Sequence, residues 1–90
     1  MTKAKLLETL EFYELSLSLA EHPPEPMSTT DRPRGKEQAL RHCHWMIGQM
    51  REFIQQGDLE KTFRWLGFMQ GVFFMAGVFS VEEMRDHNRG

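Results

Sequence analysis

From Leu6 onward, apolar residues fall at Leu6, Leu10, Tyr13, Leu17 and Ala20, steps of four and three that share one face of a helix of about five turns. Phe12, Leu15 and Leu19 lie off that stripe, so the helix carries a second apolar side and predicts a neighbouring chain against it. His22-Pro23-Pro24-Glu25-Pro26 ends the helix and makes a stiff connector, because proline lacks the backbone donor and crowds the preceding turn. Ser28-Thr29-Thr30-Asp31 has the pattern of a helix start, a hydroxyl that accepts backbone N–H bonds with a carboxylate three residues on. With Pro33 and Gly35 following, either a kinked first turn spans 28–32 or the second helix begins only around Lys36.

Beyond Lys36, Leu40, Cys43, Ile47, Met50 and Ile54 repeat with helical spacing, widened by Ala39, Met46 and Phe53. Trp45 falls on the other side with Arg41, Gly48 and Glu52, making this helix two-sided as well. Gly57-Asp58 reads as a stop followed by a start, and so predicts an antiparallel hairpin of helices two and three. The third helix, apolar nearly all round from Phe63 to Met75, must be surrounded. Gly67 and Gly71 share one of its faces and permit close backbone approach, and Gly77 offers a stop. Ser80-Val81-Glu82-Glu83 matches a capping box opening a short last helix.

The predicted fold is all-α: one helical domain over 1–90, with helices at about 3–21, 36–56 (with a first turn at 28–32 as the open alternative), 58–76 and 80–88. It is a long hairpin plus N-terminal and short C-terminal helices, assembling as a homo-oligomer. The size argues the same way, since a chain of 90 residues hides only about 60–65% of the surface its unfolded form exposes. Three surfaces this apolar resemble a core cut in half.

Composition narrows the chemistry. The single cysteine, Cys43, excludes an internal disulfide and suits a reducing compartment. Eleven basic against thirteen acidic residues leave a net charge of −2 and a pI near 6.1, which argues against broad wrapping of duplex nucleic acid. A DNA-binding regulator built on a helical hairpin lacks its basic recognition face. Lys3 to Ala20 is broken by Glu8, Glu11 and Glu14, unlike a secretory signal, so the chain is expected to stay where it is made. The longest apolar stretch, Trp65 to Phe79, is 15 residues against roughly 20 needed to span a bilayer, so no membrane partner is expected.

No Walker loop, GxGxxG, GxSxG or HExxH occurs, and no catalytic residue, metal or cofactor is expected. His42 and His44 flank Cys43 but point to opposite sides of a helix, and Cys43 itself lies on the apolar stripe, where a thiol is packing. The seven methionines sit mostly at stripe positions and read as core filling. The stretch from His22 to Lys36 is more informative. It gathers Ser28, Thr29 and Thr30 with Arg32, Arg34 and Lys36, directly after the helix bearing Tyr13. Hydroxyls, free N–H groups and guanidinium forks suit a phosphate diester, and a tyrosine face stacks on a base. Capping and a solvated turn account for the same residues, and both readings stay open on these residues alone.

The segment Lys61-Thr62-Phe63-Arg64-Trp65-Leu66-Gly67-Phe68-Met69-Gln70-Gly71, followed by Met84-Arg85-Asp86-His87-Asn88-Arg89, resembles small phage proteins of the anti-CBASS type. So do Leu10-Glu11-Phe12-Tyr13 and Pro26-Met27-Ser28-Thr29-Thr30-Asp31-Arg32, and the likeness covers most of the chain. The resemblance implies a cyclic-nucleotide sponge, a homohexamer in the host cytoplasm that sequesters cyclic dinucleotides such as cyclic GMP-AMP without cleaving them. It implies that Tyr13 stacks on a base and that Ser28, Thr29 and Thr30 hold phosphates across a protomer boundary. The family's lysine near that turn is missing, and Arg32, or else Arg34 or Lys36, takes its place. A separate pocket for cyclic trinucleotides uses an arginine, for which Arg64 stands. On this reading Tyr13→Ala abolishes capture and leaves the assembly intact. From another class, an oligomeric interaction module could inhibit a host protein through the Pro-rich turn.

Overall fold

The computed structural model describes residues 1–89. Its helices are α1 (Lys3–Leu19), α2 (Lys36–Gln55), α3 (Leu59–Met75) and α4 (Val81–Asn88), with no strand among the described residues. The stripes read from the sequence are the core. Leu6, Leu10, Tyr13 and Leu17 of α1 meet Leu40, Cys43, Ile47, Met50 and Ile54 of α2, joined by Leu66, Met69 and Phe73 of α3 and Met84 of α4. Ala20 is exposed, because α1 has already ended before it reaches the core face.

The helix ends follow from local chemistry. Thr2 caps α1 by accepting the Lys5 N–H at 3.1 Å, and Asp58 does the same for α3 with Lys61 at 3.1 Å. Ser80 and Glu83 form the reciprocal box that opens α4. At the other ends, residues in the left-handed region close α1, α2 and α3: Glu21 (φ 62°), Gly57 (φ 80°) and Gly77 (φ 74°). After each of them an N–H returns to the carbonyl five residues back, His22 to Leu17, Asp58 to Phe53 and Val78 to Phe73. Helix α1 therefore stops in its own terminal motif at Glu21, before the prolines act.

Ser28-Thr29-Thr30-Asp31 does not start a helix. The Asp31 N–H bonds the Ser28 carbonyl at 3.0 Å and closes a turn, and α2 begins at Lys36 behind an extended Gly35. No side chain of this turn caps α2; Gln38 Oε1 instead accepts the Arg34 N–H at 2.8 Å. The connector is stitched along α2. His44 Nδ1 donates to the His22 carbonyl at 2.6 Å, the Glu25 N–H reaches the Arg41 carbonyl at 3.1 Å, and the Met27 N–H reaches His42 Nδ1 at 3.3 Å. Arg41 pairs with both Glu25 and Glu37, and His22 Nδ1 lies 2.6 Å from Glu37 Oε2 in a close but poorly aligned contact.

Between α1 and α2, Arg51 grips Glu14 through both guanidinium nitrogens, at 2.5 and 2.9 Å. Between α2 and α3, Trp65 stands edge-on to Phe53 at 4.8 Å and Lys61 lies over the same ring. A polar chain docks α4. Gln70 exchanges hydrogen bonds with Asn88 and donates to Tyr13 Oη at 2.9 Å, and that hydroxyl is hydrogen-bonded to His87 Nδ1 at 2.8 Å. Thr9 shares its hydroxyl proton between the Lys5 and His87 carbonyls.

This chain makes folding pH-dependent. Burial pushes the His87 and His42 imidazoles below their ordinary value of 6.5; nearby Glu83 and Asp86 partly oppose this at His87, and Lys5 adds to it. His42 Nδ1 accepts the Met27 N–H, which suits the neutral form. Below about pH 6.5 the unfolded chain takes up protons that the folded chain refuses, so stability is complete above that value and is lost as pH falls toward the depressed folded values. The melting midpoint is therefore expected to be lower near about pH 5 than near about pH 7.5, with a shallower dependence in His87→Gln. Identical midpoints at both pH values would refute the burial of these rings in their neutral form.

Four helices do not hide every apolar residue. Phe12, Leu15 and Leu19 line the outer side of α1, Leu19 being 77% exposed. Phe63, Phe68, Phe74 and Met75 remain on α3, Met75 at 83%, so α3 is not surrounded within one chain. No helix among the described residues is long and apolar enough to cross a membrane.

Candidate functional site

Because the connector folds back on α2, the turn at 27–33 stands opposite α3, and a groove of about 560 Å³ opens between them. Ala39, Met46 and Val72 form its apolar floor. Trp45 and His42, three apart on α2, present stacked rings with centroids 5.4 Å apart and planes 22° from parallel. Trp65 and Phe68 of α3 supply the facing aromatic surface. Polar groups enter from two sides: Ser28, Thr29 and Asp31 from the turn, and Arg64 from α3. The volume lies within the roughly 300–1,000 Å³ typical of small-molecule sites, and the combination of apolar walls with a few polar groups is also typical.

The turn is held at the groove by its neighbours. The Met27 N–H is bound by His42 Nδ1, and the Ser28 hydroxyl lies 3.1 Å from that of Thr30. With Nδ1 accepting, the neutral His42 ring carries its proton on Nε2. Arg64 bonds Glu60 at 3.0 Å, but both side chains are largely in water, where such a pair contributes little, so the guanidinium is available to an anion at the groove mouth. A second depression of about 550 Å³ adjoins the first and shares Pro33, Ala39, Phe68 and Val72 with it; Lys36, Gly71, Met75 and Ala76 complete its lining.

Of the residues singled out in the sequence, Ser28, Thr29 and Arg64 come together here, in one groove of one chain. Arg64 was expected in a separate pocket, and it shares this one. Thr30 is exposed in the turn, and neither it nor Arg32 lines the groove. Arg34 lines a shallow site with Glu25, Glu37 and Arg41, while Lys36 reaches the adjoining depression.

Tyr13 is elsewhere. It is 0% exposed, with its ring edge-on to Phe73 at 4.9 Å and within 5.6 Å of Phe79, and its hydroxyl engaged by Gln70 and His87. Burial raises its pKa, so the hydroxyl keeps its proton; the Gln70 bond opposes this only in part. A ring packed on this many neighbours has no free face for a base, and the expectation of a stacking Tyr13 is corrected to that of a core residue.

Sequence reasoning passed over His42, Trp45, Trp65 and Phe68 as site residues. The available signal was spacing: His42 and Trp45 at i, i+3 on α2, and Arg64 and Phe68 at i, i+4 on α3, each pair sharing a helix side. Cys43, between them in sequence, faces the core, and burial pushes its thiol up to about 12. It is expected to resist maleimide in the folded protein and to react fully in denaturant; rapid modification of the native chain would overturn its placement.

No protein-family model, curated protein sequence or solved structure matches the chain.

Proposed function

We propose that the protein binds cyclic dinucleotides, and cyclic trinucleotides in competition with them, without cleaving them, in the groove between the 27–33 turn, α2 and α3. One observation carries this reading: Ser28, Thr29 and Arg64 line one groove together with Trp45, Trp65 and Phe68. Hydroxyls and a guanidinium are donors for phosphodiester oxygens, and indole and phenyl faces accept bases by stacking. A groove of this kind captures a ligand by complementarity alone. Sequestration of a signal, as in blocking CBASS-type antiphage signalling in the host cytoplasm, needs nothing more than tight capture.

The same reading includes self-association, proposed here as a hexamer. Its support is the apolar outer side of α1, with Phe12, Leu15 and Leu19, together with Phe63, Phe74 and Met75 on α3. Ser28, Thr29 and Arg64 reach the groove from one and the same chain. The exposure of Phe74 and Met75 also favours a second reading, a surface that docks on and inhibits a host protein; one protein enriched in a pull-down together with an inert groove would select it.

The deciding experiment incubates purified protein with a panel of cyclic di- and trinucleotides, removes the free ligand, denatures the protein and identifies what is released. Depletion of a cyclic dinucleotide with intact recovery is the expected result. Degradation products would make the protein an enzyme, and absence of depletion would overturn the reading.

A further inference from the structure

We propose that the site is bipartite: Phe68 divides two adjoining chambers that take the two bases of one cyclic dinucleotide, so the protein selects two-base ligands over cyclic mononucleotides. This rests on the cyclic-dinucleotide reading and goes beyond it by assigning a second subsite. The chambers measure about 560 and 550 Å³ and share Pro33, Ala39, Phe68 and Val72. Phe68, 61% exposed, lines both spaces, as do the smaller Ala39 and Val72. Either face of that ring can carry a base.

The charges agree with two phosphates. Arg64, paired with Glu60, lines the first chamber together with Asp31, and Lys36 lines the second and forms no ion pair among the described residues. A ligand laid across Phe68 meets one cation on each side, whereas a mononucleotide satisfies only one. Glycine at position 71 keeps the second chamber open, since a Cβ there meets no atom within 4 Å and any larger side chain would stand in the free space.

That geometry supplies the test. Gly71→Phe adds bulk to the second chamber from a position where a Cβ meets nothing within 4 Å. Calorimetry with cyclic GMP-AMP is expected to show affinity falling by about 10-fold or more, on the scale of one lost stacked base, while cyclic AMP binding stays within about 2-fold. Lys36→Gln, a change at an exposed residue, is expected to weaken cyclic GMP-AMP alone. If both ligands weaken alike in these variants, or if cyclic GMP-AMP binds them as it binds the wild type, the second subsite is wrong and the groove reading survives. If the wild type binds neither nucleotide, the groove reading itself falls and takes the subsite with it.

Discussion

Tyr13→Ala is expected to lose about 3–5 kcal/mol of folding stability, the usual cost of truncating a buried aromatic. For a domain of this size, total stability is about 5–10 kcal/mol, so the substitution removes a large share of it. The ring fills the junction of α1, α3 and α4 against Phe73 and Phe79, and its hydroxyl links Gln70 to His87. Truncation opens a cavity and leaves His87 Nδ1 without its hydrogen-bond partner. Tyr13→Phe keeps the ring and drops only the hydroxyl link, at a cost of about 1–2 kcal/mol. Urea titrations followed by far-UV circular dichroism separate the three proteins, and an unchanged midpoint in Tyr13→Ala would remove Tyr13 from the core. Any loss of nucleotide capture in Tyr13→Ala is therefore to be read together with the urea midpoint of the same protein.

The conflict over Tyr13 was already present in the sequence. Helical spacing placed it on the stripe of Leu6, Leu10 and Leu17, and the likeness to a nucleotide-binding family placed it in a site. In the fold the spacing prevails, because a ring at a stripe position is covered by whatever helix packs on that stripe. The same rule made the core of α2 legible from Leu40 to Ile54, and capping chemistry made the ends of α3 and α4 legible at Asp58, Gly77 and Ser80.

What stayed hidden was non-local or polar. Thr9 and Thr62 are buried although hydropathy marks them as polar, because each hydroxyl bonds the carbonyl four residues back in its own helix. The groove itself depends on which side of α2 the connector takes. That side is set by contacts of His22, Glu25 and Met27 with His44, Arg41 and His42, between 15 and 22 residues apart in the chain. No local pattern encodes such a choice, so Trp45 read as an outward residue when it in fact forms a wall beneath the returning chain. The family likeness identified Ser28, Thr29 and Arg64 individually, and only folding placed them in one groove.

Phe68→Ala is expected to do the opposite of Tyr13→Ala. Phe68 is 61% exposed, so truncation removes little buried area and stability should stay within about 0.5 kcal/mol of wild type. Binding should suffer far more. If the ring is a platform for bases, its loss costs about 1–3 kcal/mol, which is roughly 5- to 150-fold in Kd for cyclic GMP-AMP. Phe68→Trp should retain or strengthen binding, because the larger face stacks at least as well and the open groove accommodates it. Paired measurements of urea midpoint and calorimetric affinity on Tyr13→Phe and Phe68→Ala therefore give a crossed pattern, stability changing in the first and affinity in the second. If Phe68→Ala binds cyclic GMP-AMP as wild type does, then the aromatic groove is apolar surface for another chain and not a nucleotide site. The exposed side chains of Phe68 and Met75, seven apart on one side of α3, would then belong to one continuous protein interface.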